Sequence, residues 1–198
     1  MMHLMKKLLA LCALALLVAG CDKFAASPPS FKNTDLTGLD YAQNFALTDH
    51  NGKARTLADF KGKVVVMFFG FTQCPDVCPT TMAELSAVMK QLGPQADQVQ
   101  VLFVTVDPER DTQTLLSQYV PAFDPRFLGL YGDAAATAKV AREFKVFYAK
   151  VPGSTPGSYT MDHTAASYVF DRKGKIRLFV RHGEKPAAIA HDLKLLLS

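Results

Sequence analysis

A continuous apolar run over residues 64–69 constrains the fold of this chain more than any other feature. It holds three consecutive valines, a methionine and two phenylalanines, with no polar residue among them. Such a run is typical of a strand buried on both faces, as in parallel sheets that are covered by helices on both sides. Two thiols, Cys74 and Cys78, follow it in the string Cys-Pro-Asp-Val-Cys-Pro. The chain therefore predicts a thiol pair at the end of a buried strand.

Strands and helices alternate along the rest of the chain. The predicted strands cover residues 43–48, 64–69, 99–106, 127–131, 146–151, 165–170 and 176–180, and the predicted helices cover 80–92, 112–120, 134–144 and 186–197. Asn51-Gly52 indicates a tight turn, and the Gly/Pro/Ser-rich residues 152–162 indicate a loop. This order indicates an α/β sheet with helices on both faces, whose sites lie at the carboxyl ends of strands.

The N-terminal residues carry the signs of an export signal. Lys6 and Lys7 precede an apolar run over residues 8–18, which is too short to span a bilayer and suits the h-region of a signal peptide. The run ends in Leu-Val-Ala-Gly-Cys21, which resembles a bacterial lipobox. An ordinary secretory signal or an uncleaved anchor is the alternative. The predicted segments are a lipoprotein signal peptide over 1–20, a lipid-anchored tether over 21–36 that begins at the lipidated Cys21, and a domain over 37–198.

The charge of the chain gives no support to nucleic-acid binding. The formal net charge is +4, and removal of Lys6 and Lys7 with the signal peptide lowers it to +2. The remaining basic residues do not form a cluster in the sequence. An exported chain that keeps one closely spaced thiol pair beside its lipidated cysteine is also unlike a small scaffold held by several disulfides.

The spacing of Cys74 and Cys78 permits three kinds of chemistry. If the segment is coiled as a helical turn, the two α-carbons lie about 6 Å apart, which allows a disulfide, thiol exchange or a shared soft metal. Cys78 falls near a predicted helix start, where the helix dipole favours the thiolate. A purely stabilising disulfide is disfavoured. Closing so short a loop stabilises the folded protein by only roughly 2 kcal/mol, whereas closing a loop of a hundred residues contributes about 4–5 kcal/mol.

Two common thiol sites fit the sequence poorly. A thioredoxin-type pair has two residues between its cysteines and a preceding Trp, whereas this pair has three and the chain has no Trp. A peroxiredoxin site requires Thr and Pro at the positions that Pro75 and Phe71 occupy. Neither routine disulfide exchange nor peroxidase chemistry is therefore favoured by the local sequence.

A histidine could complete a metal site with the two thiols, because imidazole extends a dithiolate site to Cu(II) or Zn(II). His163 lies at the end of the predicted flexible loop and at the mouth of the strand over 165–170, from which it can approach a second loop. Met161 offers a soft auxiliary ligand two positions earlier. The other histidines are predicted to be solvated surface residues or to leave with the signal peptide: His3, His50, His182 and His191.

Three stretches together resemble the Sco/SenC family of copper-handling proteins with a thioredoxin fold. They are VVVMFFGFTQCPDVCPTTM, FVTVDPERDT and DHTAASYVFDRKGKI, and they occur in this order within residues 41–198. The combination is specific, although each motif alone is weak. The resemblance implies a thioredoxin-like fold, with a central mixed sheet flanked by helices. It also implies that copper binds through Cys74, Cys78 and His163, with Asp107 of the Val-Asp-Pro motif near the site.

The resemblance implies a metallochaperone that is held to the membrane by lipid where other members have a membrane helix. Such a protein would take copper from an upstream donor protein and pass it to the dicopper (CuA) site of cytochrome c oxidase subunit II. A flexible loop carrying His163 would let one ligand detach first. The alternative is a thiol–disulfide oxidoreductase, in which Cys74 and Cys78 reduce the copper-ligand cysteines of the oxidase subunit. Asp107 has a simpler interpretation too, as the residue that begins the Pro108 turn.

These expectations place the domain in the periplasm. The lipid on Cys21 would anchor it to the inner membrane of a bacterium, and Asp22 favours retention there by a sorting rule that varies among bacteria.

Overall fold

A computed structural model describes residues 30–198 of the chain. Residues 31–198 form one compact unit. The predicted signal peptide over 1–20 and the predicted lipidation site, Cys21, lie outside the described residues. Within 30–198, no helix is both long enough and apolar enough to span a membrane.

Residues 30–198 form a large mixed sheet, a separate hairpin and four α-helices. The strands of the large sheet are β1 (Thr34–Asp35), β2 (Leu47–Asp49), β3 (Ala54–Arg55), β4 (Val64–Gly70), β5 (Val99–Thr105), β6 (Leu128–Tyr131), β9 (Ala166–Phe170) and β10 (Ile176–Arg181). Their order across the sheet is β1-β10-β9-β4-β5-β6-β2-β3. The separate hairpin pairs β7 (Tyr148–Pro152) with β8 (Tyr159–His163). The helices are α1 (Val77–Leu92), α2 (Gln113–Tyr119), α3 (Ala134–Glu143) and α4 (Pro186–Leu197), with short 3-10 turns at Leu57–Phe60 and Gly93–Gln98.

The centre of the sheet confirms the prediction made from the apolar run. Every residue of β4 and β5 is buried, and the two strands pair in parallel. Because successive side chains of a strand point to opposite faces, complete burial means that both faces are covered. On its other side β4 pairs with β9 in the antiparallel direction, so the sheet is mixed. The thioredoxin-like fold class, with helices flanking a mixed sheet, is confirmed.

The hairpin β7–β8 corrects the predicted loop over residues 152–162. Its second strand covers Tyr159–His163 and pairs residue by residue with β7, so that His163 lies opposite Tyr148. The burial of this strand alternates around Met161, which is buried between the exposed Thr160 and Asp162. This two-residue period favours a strand over a loop.

Residues 31–36, which the sequence assigns to the tether, pack against the compact unit. Thr34 and Asp35 pair with β10 as a short edge strand. The backbone N–H groups of Lys32 and Asn33 donate to the carboxylate of Asp192 on α4, at 2.8 to 3.0 Å. The sheet therefore begins several residues before the domain boundary expected from composition.

Candidate metal centre

The two thiols lie at the carboxyl end of β4, as the sequence predicts. The chain leaves β4 at Gly70, turns through residues 71–76 and enters α1 at Val77, three residues earlier than predicted. The backbone N–H of Cys74 donates to the carbonyl of Phe71 at 3.3 Å, which closes the turn. Cys78 lies in the first turn of α1 and is fully buried, whereas Cys74 is partly exposed. Both thiols are free.

His163 reaches the thiols from the other side of the site. It is the last residue of β8, and its imidazole meets two aromatic rings edge-on. The centroid of that ring is 6.1 Å from the ring of Phe68 and 5.9 Å from the ring of Phe71. Since Phe68 belongs to β4 and Phe71 precedes Cys74, these contacts place the imidazole over the segment that carries the thiols.

The three side chains form a cluster of potential metal ligands. The sulfur of Cys78 lies 3.5 Å from Nε2 of His163, and the backbone N–H of Cys78 points to the sulfur of Cys74 at 3.4 Å. One ligand atom from each of Cys74, Cys78 and His163 lies within 4.8 Å of the other two. Two sulfurs and one imidazole nitrogen form a donor set that suits a soft or borderline metal such as copper or zinc.

The hydrogen bonding of His163 directs the correct nitrogen toward the thiols. Its Nδ1 lies 3.2 Å from the carbonyl oxygen of Thr164, and a carbonyl only accepts, so Nδ1 carries the proton and donates. In the neutral ring Nε2 then has a free lone pair, and it faces Cys78. This arrangement is the usual one for metal-binding histidines, whose second nitrogen is held by an outer partner.

Burial controls the protonation of the cluster. It raises the pKa of the Cys78 thiol well above its usual range, and the hydrogen bond with Cys74 raises it further. We expected the start of α1 to favour the thiolate of Cys78, but loss of solvation outweighs the helix dipole in the metal-free protein. Burial also lowers the pKa of His163, so the imidazole is neutral at pH 7 and available to a metal.

Gly70 provides the space that the sulfur of Cys78 occupies. A Cβ atom at this position would lie 2.9 Å from that sulfur, 2.9 Å from the ring of Phe68 and 3.0 Å from the ring of Phe103. Any larger residue at the end of β4 would therefore displace Cys78 or one of the two rings. The sulfur packs directly against backbone, which fixes its position relative to His163.

Asp107 lies beside the cluster but not within it. Its buried carboxylate accepts one hydrogen bond from Nε of Arg110 and one from the hydroxyl of Tyr159, at 2.9 Å. Its backbone N–H donates to the hydroxyl of Thr105 at 3.0 Å. These partners occupy the carboxylate, so Asp107 links the end of β5 to the hairpin that carries His163.

Asp111 is a site residue that the sequence reasoning did not single out. Its buried carboxylate accepts from the backbone N–H of Thr72 at 3.0 Å and from the hydroxyls of Thr72 and Thr105, each at 2.6 Å. It therefore fixes the segment between Phe71 and Cys74 to the end of β5. The signal in the sequence is its place as the second Asp of the Val-Asp-Pro-Glu-Arg-Asp string, which also contains Asp107.

The other side chains considered as ligands have different surroundings. His50 is buried, which contradicts its predicted exposure, and its Nδ1 accepts from the backbone N–H of Gly129 at 3.0 Å. His182 contacts the hydroxyl of Thr81 on α1, and Met161 belongs to the buried apolar core. Neither His50 nor His182 belongs to the Cys74, Cys78 and His163 cluster.

Comparison with known proteins identifies relatives of similar sequence and fold. The family model described as SCO1/SenC matches residues 33–198. The mitochondrial SCO2 homologue of Bos taurus is 44% identical over 133 residues, which are 66% of this chain and 50% of that protein. This chain thus spans about half the length of that relative.

Solved structures agree with this match. The copper-bound ScoI of Bradyrhizobium japonicum is 47% identical, with a TM-score of 0.72 over 78% of this chain and 98% of that one. The apo Sco1 of Thermus thermophilus, studied in solution, is 40% identical, with a TM-score of 0.77 over 86% and 99% of the two chains.

Proposed function

This chain belongs to the SCO1/SenC family, and from that premise we propose that it binds one copper ion through Cys74, Cys78 and His163. The observation that carries the proposal is the convergence of two sulfurs and one free imidazole nitrogen within 4.8 Å. Copper is also present in the related ScoI structure from Bradyrhizobium japonicum. Thiolates stabilise Cu(I), and the imidazole extends the site to Cu(II).

The second part of the proposal is that the protein delivers this copper. It receives the ion from an upstream copper donor protein and passes it to the CuA site of cytochrome c oxidase subunit II. Cys74 is partly exposed at the rim of the site, so an incoming ligand can reach the metal from that side. Cys78 is buried and would leave last. Exchange of one ligand at a time keeps the metal coordinated throughout the transfer.

The position of His163 changes how release is explained. The sequence suggested that a flexible loop carries this ligand, whereas the residue lies on β8 and pairs with Tyr148. Its detachment would therefore involve rotation of the imidazole or movement of the hairpin β7–β8, and not the opening of a flexible loop. This hairpin is separate from the large sheet, which makes movement as a unit feasible.

Thiol–disulfide exchange is the second candidate function. A partly exposed thiol beside a buried one in the same turn is the arrangement that favours it. The Cys74 thiolate would attack a target disulfide, forming a mixed disulfide and releasing one target thiolate. Cys78 would then lose its proton and attack the sulfur of Cys74, which forms the Cys74–Cys78 disulfide and releases the second target thiolate. The products are a reduced target and an oxidised pair.

The proposed location is the periplasmic face of the bacterial inner membrane, with the lipid on Cys21 as the anchor. Replacement of Cys21 by Ser tests this directly, because it removes the sulfur to which the lipid would be attached. The variant should appear in the soluble periplasmic fraction. Its persistence in washed membranes would contradict the lipoprotein proposal.

One comparison separates copper delivery from thiol exchange. The full-length chain, His163→Ala and His182→Ala as the matched histidine control are purified in detergent. Each is titrated with Cu(I) and Cu(II) and then mixed with subunit II whose cysteines are already reduced. We expect His163→Ala to lose Cu(II) binding and to slow the transfer, and His182→Ala to behave as wild type. Unchanged Cu(II) binding in His163→Ala would disprove the three-ligand site. If wild type metallates the reduced target no faster than free copper, the reductase function is favoured instead.

A further inference from the structure

The hairpin β7–β8 pairs with no strand of the large sheet. Apart from the two-residue link between His163 and β9, it is positioned by contacts of side chains. Its inner strand contributes His163 to the cluster, so whatever holds β8 also holds the third ligand. The contact that connects this strand to both Asp107 and the cysteine segment is made by Arg110.

We propose that Arg110 is a positioning residue that clamps the His163-bearing hairpin to the cysteine segment and thereby sets the lifetime of bound copper. This inference rests on the proposed copper site and concerns a residue that is not one of the ligands. Arg110 contacts both segments that carry ligands.

Arg110 contacts the two ligand-bearing segments with a single guanidinium group. Its Nη1 donates to the backbone carbonyl of Tyr159 on β8 at 2.9 Å and to the side chain of Gln73, next to Cys74, at 3.2 Å. The guanidinium carbon lies 3.7 Å from the ring centroid of Tyr159 and 5.8 Å from that of Phe71. The ring of Phe71 in turn meets the imidazole of His163 edge-on.

Asp107 orients the guanidinium and completes the clamp. One oxygen of its carboxylate accepts a hydrogen bond from Nε of Arg110, and the other accepts one from the hydroxyl of Tyr159. The backbone and the ring of Tyr159 are thus both held from the end of β5. The planar guanidinium of arginine can stack on a ring while it donates hydrogen bonds in several directions, which the ammonium group of lysine cannot do.

The closed clamp also carries a cost. Nη2 of Arg110 is buried and has no hydrogen-bond partner within residues 30–198. Burial of an unpaired donor is unfavourable, and movement of the hairpin away from the site would return this group to water. The unpaired Nη2 is therefore a local cost of the closed arrangement, and it favours opening of the hairpin.

The test compares variants of the full-length protein in detergent. Arg110→Ala and Arg110→Lys remove the planar donor, and Tyr159→Phe removes only the hydroxyl that reaches Asp107. Lys150→Ala is the matched control, because Lys150 also lies over the ring of Tyr159, at 4.2 Å, but its partner Glu109 is exposed and does not belong to the cysteine segment. The readouts are amide hydrogen exchange over residues 148–163 without metal, and the rate at which a chelator removes Cu(I).

We expect Arg110→Ala to increase exchange in the hairpin, with β4 and β5 unchanged, and to speed copper loss roughly 10- to 100-fold. Arg110→Lys should resemble it, Tyr159→Phe should show a smaller change in the same direction, and Lys150→Ala should match wild type. If Arg110→Ala fails to fold, Arg110→Lys and Tyr159→Phe decide the question.

Wild-type exchange and wild-type copper loss in the folded Arg110 variants would overturn the clamp and leave the copper site intact. Failure of the wild-type protein to bind copper would contradict the proposed function. Amide hydrogen exchange measured without metal would still show whether Arg110 holds the hairpin in place.

Discussion

Nε2 of His163 lies 3.5 Å from the sulfur of Cys78, although 85 positions separate the two residues in the chain. The short distance results from two independent placements. Gly70 lets the Cys78 sulfur pack against the end of β4, and the hairpin β7–β8 brings the imidazole over the same point. Each placement can be perturbed alone, which makes the relationship open to test.

Replacement of Gly70 by Ala should damage the site from the sulfur side. The new Cβ would lie 2.9 Å from the sulfur of Cys78, so the sulfur or a neighbouring ring must move. We expect a loss of about 1–3 kcal/mol in the free energy of unfolding, from overpacking of a dense core. We also expect weaker Cu(I) binding, measured by competition with a chelator.

Gly129→Ala is a matched control for this variant. Its Cβ would lie 3.0 Å from the side chain of Val120, a comparably close contact that involves no thiol. Both variants should therefore lose stability, and only Gly70→Ala should lose copper affinity. Equal copper affinities in the two variants would show that the space at Gly70 serves packing alone.

The two thiols should differ strongly in reactivity toward an alkylating agent. Cys78 is fully buried and its thiol pKa is raised, whereas Cys74 is partly exposed. We expect iodoacetamide to label Cys74 first, by a factor of about ten or more, because each unit of pKa lowers the thiolate fraction about tenfold. Peptide mass spectrometry over time gives the two rates. Similar rates in the unfolded protein are the control, and faster labelling of Cys78 in the folded protein would contradict the burial argument.

Copper binding should release the proton of Cys78. Because burial raises the pKa of this thiol, it is protonated in the metal-free protein at neutral pH and must ionise to bind. The apparent Cu(I) affinity should then increase about tenfold per pH unit for each proton released, between about pH 6 and about pH 8. Burial lowers the pKa of His163 below its usual value, so above about pH 7 its imidazole is neutral and the pH dependence comes from the thiols.

Competition titrations at several pH values measure this dependence. Cys78→Ser should reduce the slope by about one proton, since a serine hydroxyl does not ionise at these pH values. An affinity that does not vary with pH in wild type would mean that Cys78 is already a thiolate without metal.

The sequence predicted the fold well where the signal was local. The apolar run of β4 and the proline at the start of α1 depend on neighbouring residues, and both elements were placed within a few positions. The strand β8 was missed because its pairing with β7 crosses a Gly/Pro-rich stretch, and its own period covers only five residues. Arg110 and Asp111 were missed because their partners, such as Tyr159 and Thr72, are distant in the chain. The ligands themselves were readable from motifs, whereas the residues that hold them are defined by tertiary contacts.

Acid should detach the first strand of the sheet through Asp192. Burial disfavours the charged form of this carboxylate, but hydrogen bonds from His191 and from Lys32 and Asn33 outweigh it and hold its pKa below the usual range. A carboxyl with a lowered folded pKa stabilises the protein above its unfolded pKa of about 3.9, and that contribution is lost as pH falls through the folded value.

Asp192→Asn should mimic the acid effect at neutral pH and lower the free energy of unfolding by about 1–3 kcal/mol, because the backbone donors lose a charged acceptor. Hydrogen exchange over residues 32–36 measures the detachment, with His191→Gln as a control that keeps the backbone contacts. Equal protection of these residues in wild type and Asp192→Asn would show that strand pairing with β10 alone holds the segment.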